Sequence, residues 1–172
     1  MMKLLGALLI LLAGTLFGFF QANLFMERPK QLRQLIHILQ RLATEIGYGQ
    51  TALPIAIERA SKDEQGVVYR LFQMVVEQLQ EENDRSFVEI WQSVMEQRWA
   101  YTSLKASEQR IVIRLGSVLG ISDTTDQLKQ LQLAMEQLKM EEEQARDNQA
   151  KYATMWRSLG LLIAVFIIIL IM

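Results

Sequence analysis

Both ends of this 172-residue chain are apolar, and nearly all of its charge lies between them. Leu4 to Phe20 contains no charged residue, and with Gln21 to Met26 the N-terminal stretch reaches 23 residues. A helix of that length crosses roughly 30 Å of hydrocarbon. Leu159 to Met172 is also free of charge but shorter. It spans a bilayer if its helix starts near Trp156, or if the membrane thins locally. A secretory signal is the competing reading of the N-terminus, with Lys3 as its basic flank and Leu4 to Ala13 as its apolar centre. The run outlasts such a centre and no small-x-small cleavage site follows it, so a retained span is expected. The chain therefore divides into a first membrane helix over 4–26, a water-facing domain over 27–157, and a second membrane helix over 157–172.

The charges set an orientation. Arg28, Lys30, Arg33 and Arg41 follow the first run, and Lys151 and Arg157 precede the second. Basic residues stay on the cytoplasmic side of a span. Both spans thus place the middle domain in the cytoplasm, with Lys3 a single opposing charge. The domain holds 17 basic and 19 acidic residues, a net −2. Nucleic acid is not an expected partner, because backbone binding needs a clustered basic face. The chain has no cysteine and one histidine, which excludes disulfides, thiol chemistry and most zinc sites.

The middle reads as all-α. Pro29 suits the first turn of a helix and a kink where the chain leaves the bilayer. Leu32, Leu35, Ile36, Leu39, Leu42, Ala43 and Ile46 share one helical face, and Gly47 and Gly49 are expected to end that helix. Pro54 opens a short helix carrying Ile57 and Ala60. A third helix follows Asp63, with Val67, Val68, Leu71, Phe72, Val75 and Leu79 in register. Ser86-Phe87-Val88-Glu89 fits a capping box opening a fourth helix. There Ile90, Trp91, Val94, Met95 and Trp99 read as core. A fifth helix is expected over 103–119, with Leu104, Ile111, Leu115 and Val118 inward and Gly120 ending it. Ser122-Asp123 caps the last helix, whose seam is Leu128, Leu131, Met135 and Leu138. From Lys139 to Lys151 the seam thins to Ala145. That stretch is either a stalk or a helix packed on the Leu32–Ile46 face. The expected fold is a six-helix bundle whose last helix runs unbroken into the membrane.

No catalytic pattern is present. Gly116-Ser117-Val118-Leu119-Gly120 lacks the nucleophile spacing of G-x-S-x-G, and there is no P-loop. His37 sits on an apolar helix and reads as a flanking residue. Glu141, Glu142, Glu143 and Asp147 read as a solvated face rather than a cation site. No enzyme, cofactor or metal is expected. Arg110 and Arg114 repel one another at i, i+4, so they either find carboxylates within the bundle or form a surface for an acidic partner. Tyr152, Trp156 and Arg157 are expected anchors in the headgroup layer. Gly14, Gly18 and Ala22 recur every fourth residue in the first run, as do Gly160 and Ala164 in the second. Small residues at this spacing let helices pack closely in lipid, within the chain or with a partner, a second copy included.

Several segments together resemble a known family. They are Lys3-Leu4-Leu5-Gly6-Ala7, Glu27-Arg28-Pro29-Lys30-Gln31-Leu32-Arg33-Gln34-Leu35 and Glu45-Ile46-Gly47-Tyr48-Gly49-Gln50-Thr51-Ala52-Leu53-Pro54. Leu119-Gly120-Ile121-Ser122-Asp123 and Met155-Trp156-Arg157-Ser158-Leu159-Gly160 complete the set. In this order and spacing the chain resembles the stage III sporulation protein AB family of endospore-forming bacteria; Ala52 departs from it, where a turn former is expected. That family is similar in turn to the inner-membrane platform proteins of type II secretion and type IV pili, whose cytoplasmic domains are six-helix bundles. The resemblance implies a non-enzymatic platform in the channel complex between mother cell and forespore. It implies partnership with a secretion-type ATPase of the same operon and with other membrane components of that complex, and a domain on the mother-cell side. A two-span sensor or adaptor is the alternative.

Overall fold

The structure is a computed structural model that describes residues 27–48, 51–62, 65–81 and 84–171, the side chains of 152–154 and 156–171 excepted. Six α-helices and one 3-10 turn account for the described residues, with no strand among them. Helix α1 covers 27–48. It is followed by α2 Leu53–Ser61, α3 Val67–Gln80, α4 Phe87–Arg98, the 3-10 turn Trp99–Tyr101, α5 Ala106–Gly116 and α6 Thr124–Ile171. The chain forms two compact units, Lys30–Glu142 and a second made of Met1–Pro29 with Glu143–Met172. Among the described residues no helix is long and apolar enough to cross a membrane. The first apolar run lies outside them, and the second falls on the α6 backbone with its side chains outside them.

In the first unit α1 is buried on more than one face. Leu32, Leu35, Ile36, Leu39, Leu42 and Ile46 are buried as the periodicity requires, and so are Ile38 and Gln31. An amphipathic stripe leaves one side to solvent; this wider arc marks a helix wrapped by its neighbours. Its polar bonds identify them. Gln31 accepts from Ser103 N at 2.7 Å in the α4–α5 connection. Arg33 pairs with Glu142 on α6 at 3.2 Å. His37 Nδ1 meets Tyr69 Oη of α3 at 3.2 Å. Arg41 donates to the carbonyls of Arg59 and Lys62 at the end of α2, at 2.9 and 3.4 Å.

Helices α1 and α6 run antiparallel. A Cβ on Gly47 would lie 3.5 Å from Leu128 Cδ1. Arg33 and Glu142 meet fourteen residues earlier on one helix and fourteen later on the other. Equal steps at 1.5 Å per residue hold the helices in register for about 21 Å. Leu131, Ala134 and Leu138 are buried along this seam. The stretch up to Glu142 is therefore packed on α1 rather than free. In the second unit Pro29 and Ala145 are both buried.

The helix ends follow local chemistry, with three departures from expectation. At α4 the capping box forms: Ser86 Oγ accepts from Glu89 N at 3.3 Å, and the Glu89 carboxylate accepts from Ser86 N at 2.9 Å. Helix α2 has proline in its first turn, and Asp123 Oδ1 accepts from Asp126 N at 2.8 Å to cap α6. Gly47 does not cap α1; it is helical, and a Cβ there would meet Leu128 at an ordinary 3.5 Å. Helix α5 is shorter than expected, because Thr102–Lys105 forms a hydrogen-bonded turn before it and 117–121 a turn after it. Its deepest apolar residues are Val112 and Leu115, whereas Ile111 and Val118 are half-buried. Helix α3 starts after Gly66, whose φ is +144°, and its first residue Val67 is exposed rather than inward. The Asp63 start, the Gly49 cap and the break before Glu27 involve residues outside the described ones.

Helices α4 and α5 meet where Trp91 lies on Gly116, and Gln109 of α5 donates to the Met95 carbonyl of α4 at 3.0 Å. Trp91 is fully buried and stands edge-on to Phe72 at 5.5 Å. Its indole N–H donates to the carbonyl of Val112 at 2.9 Å. A helical carbonyl is normally shielded by the side chain one turn on. Here that residue is Gly116, and a Cβ there would come within 2.6 Å of Trp91 Cγ and closer still to other ring atoms. Glycine thus opens the α5 surface so that the indole can reach the backbone.

Candidate functional site

The described titratable residues do not converge on a reaction centre. His37 is bonded to a tyrosine. Glu108 is fully buried, but it sits in the first turn of α5 and its carboxylate accepts from Lys105 N. That is helix-end chemistry, half of a capping box, since lysine at the cap has no acceptor to return. The Glu89 carboxyl is held below the usual carboxylate range, first by the Ser86 backbone N–H and then by its hydroxyl, with Arg85 adding a smaller effect. No group of three or more His, Cys, Asp or Glu able to hold a metal occurs among the described residues.

What remains is surface, and two regions stand out. The first is a groove of about 150 Å³ between α5 and α6. Ile111, Arg114 and Leu115 form its α5 wall, and Leu133 and Ala134 its α6 wall. Gln130 and Gln137 bracket these along α6. Ala134 and Leu115 are buried, Ile111 is half-buried, and Leu133 is 44% exposed despite its apolar side chain. Arg110 stands one turn before Arg114, and both are exposed. Arg33–Glu142 and Arg59–Glu45 are ion pairs within the first unit, and neither arginine of α5 has a carboxylate partner among the described residues.

The second region is the end of the first unit where α1 finishes and the α5–α6 turn lies. Tyr48 is 91% exposed, Ile121 73% and Ile55 46%. Gly120, at φ +83°, brings this turn to α2: a Cβ there would lie 3.0 Å from Leu53 Cδ2. Sequence reasoning passed over these residues. The one signal for Tyr48 and Ile121 is position, since each adjoins a glycine at or just beyond a helix end.

The other expected sites are distributed as follows. Gly14, Gly18 and Ala22 lie outside the described residues. Tyr152, Trp156, Arg157, Gly160 and Ala164 fall on the α6 backbone, with their side chains outside the description. Trp91 and Trp99 are core, as expected.

Known proteins match this chain along its length. The model of the family described as stage III sporulation protein AB matches residues 3–172. The stage III sporulation protein AB of Bacillus subtilis (strain 168) is 39% identical over 172 residues, covering all of both chains. A solved structure of a stage III sporulation protein AB aligns with a TM-score of 0.66 at 36% identity, over 73% of this chain and 98% of that one. The chain belongs to the stage III sporulation protein AB family, and its role lies in sporulation.

Proposed function

We propose that the chain is a non-enzymatic membrane platform in a secretion-like channel complex between mother cell and forespore, coupling a cytoplasmic ATPase to membrane components. The observation that carries this reading is α6. It supplies the closing helix of the first unit and runs on without a break from Thr124 to Ile171. A displacement imposed on the helix at Leu131 or Leu138 is passed along a hydrogen-bonded rod instead of being absorbed in a loop. Two further features support it. The described residues offer docking surface, and the apolar termini suit a protein held in a bilayer; their basic flanks suit a bundle on the cytoplasmic face, the mother-cell side in this reading.

The partner in this reading is the secretion-type ATPase of the same operon, docking on the bundle; other channel proteins meet the membrane helices through Gly14, Gly18, Ala22, Gly160 and Ala164. The test is co-purification of full-length protein and ATPase from membranes of sporulating cells. Substitutions on the bundle surface should abolish it, and substitutions in the apolar termini should leave it intact. Retention of the ATPase after bundle-surface changes, together with its loss after changes in the termini, refutes the platform reading.

A further inference from the structure

We infer that the α5–α6 groove docks an acidic amphipathic helix from a different protein, seated by Leu133 and Ile111 and clamped by Arg110 and Arg114. The inference rests on the platform reading and names the chemistry of what the platform holds.

Volume narrows the occupant first. A groove of about 150 Å³ is smaller than the roughly 300–1,000 Å³ of small-molecule sites. It suits one or two protruding side chains, not a cofactor. The spacing of its walls narrows it further. Ile111 and Leu115 stand four apart on α5, and Gln130, Leu133, Ala134 and Gln137 follow helical spacing on α6. Ridges at three- and four-residue intervals receive the ridge of a third helix. Leu133 is the anchor position, because it is apolar, 44% exposed and adjacent to buried Ala134.

Charge selects the sign. Arg110 and Arg114 repel one another and have no carboxylate partner among the described residues. A visiting helix with carboxylates at i and i+4 relieves that repulsion and forms forked pairs that guanidinium geometry favours. Gln130 and Gln137 offer amides to its polar edge. A second copy of this chain fits less well. Two-fold pairing through this groove sets arginines against arginines. Within the chain's own acidic run Glu142 is held by Arg33 and Glu141 has contacts of its own.

The experiment places a photo-crosslinking amino acid at Leu133 of the full-length protein in sporulating host cells, with Gln132 and Ile121 as separate positions. Adducts are mapped by mass spectrometry. The expected result is an adduct from 133, and not from 132, to a helix of another protein carrying carboxylates one turn apart beside apolar residues. Arg110→Glu with Arg114→Glu should lower its yield about tenfold, as expected for loss of a close charge pair. Arg110→Gln with Arg114→Gln should lower it less, and reversing the partner's carboxylates to arginine should restore it against the double glutamate variant. An adduct to a second copy, to a segment without the acidic pair, or one indifferent to both arginine variants overturns the inference. Protein adducts from 121 with none from 133 overturn it while the platform reading stands. The absence of protein adducts at every position, with no ATPase co-purifying, overturns both.

Discussion

Gly116→Ala is a small change with a large expected effect, because one methyl group has nowhere to go. The new Cβ would sit within 2.6 Å of Trp91 Cγ. The indole cannot retreat, being fully buried, edge-on to Phe72 at 5.5 Å and tilted against Phe87 at 5.6 Å. Alanine gains up to about 1 kcal/mol over glycine in a helix. Forcing a methyl into a packed core costs about 1–3 kcal/mol. Displacing the indole also breaks its bond to the Val112 carbonyl, and a buried donor left unpaired costs about 1–3 kcal/mol. The balance is a loss of about 3 kcal/mol, which lowers Tm by about 12 °C for a unit of this size. Thermal unfolding of the full chain in detergent, followed by tryptophan fluorescence, reads it. The mechanism also predicts non-additivity. Trp91→Phe is costly alone but should be nearly neutral beside Gly116→Ala, giving a coupling of about 1 kcal/mol or more. A Tm within about 3 °C of the parent, or strictly additive losses, would refute steric exclusion of the methyl by Trp91.

The other glycines give contrasting outcomes. Gly47→Ala should raise stability by up to about 1 kcal/mol, since the position is helical and the new methyl meets Leu128 at an ordinary 3.5 Å. Gly120→Ala should cost about 1–2 kcal/mol, because φ is +83° and Leu53 stands 3.0 Å from the new atom; equal effects at 47 and 120 would contradict the backbone assignment. At the start of α4, Ser86→Ala should cost about 1 kcal/mol through loss of the cap. Glu89 adds a pH signature: its pKa is lowered on folding, so its contribution is present above the unfolded carboxylate range and lost as pH falls through the folded value. The stability gap between parent and Glu89→Gln, measured by urea unfolding, should therefore close in acid, and a gap that widens there contradicts the sign. Finally, Gly-Gly inserted near Ala145 interrupts α6, whereas the same insertion near Glu27 precedes the packed part of α1. Spore yield should fall more for the first, and equal tolerance would remove mechanical coupling through α6.

Periodicity made the helices legible, because each one that packs on a neighbour must repeat its apolar residues every three to four positions. The Ser86–Glu89 box was legible for a similar reason: its chemistry is local. What escaped was everything that depends on a second element. Ile38 lies off the Leu32–Ile46 stripe, and its burial follows only from α1 being wrapped by other helices. Gly116 looked like part of a failed catalytic motif, since nothing nearby in sequence announces an indole resting on it. The end of α5 was placed too late because Val118 and Leu119 continue the apolar pattern through the turn. The candidate surface divides the same way. Arg110 and Arg114 were legible as a like-charged pair, but the lack of a carboxylate partner among the described residues and the nearness of Leu133 required α5 and α6 in place.

The polar residues of α1 explain why a groove is left between the last two helices. Gln31, Arg33, His37 and Arg41 reach, in turn, the α4–α5 connection, α6, α3 and α2. Apolar packing is non-directional and tolerates sliding of one helix along another. Each of these bonds fixes one neighbour at one height on α1. Most are exposed and contribute little to stability individually. Gln31 differs, because it is buried and satisfies the Ser103 amide in the turn that launches α5. Helix α5 is thereby positioned from its first turn by Gln31 and from its last by Trp91 on Gly116. With both ends held, its outward face needs no internal partner. Arg110 and Arg114 stand on that face, and the groove beside them is a consequence of how the core holds α5 rather than a flaw in the packing.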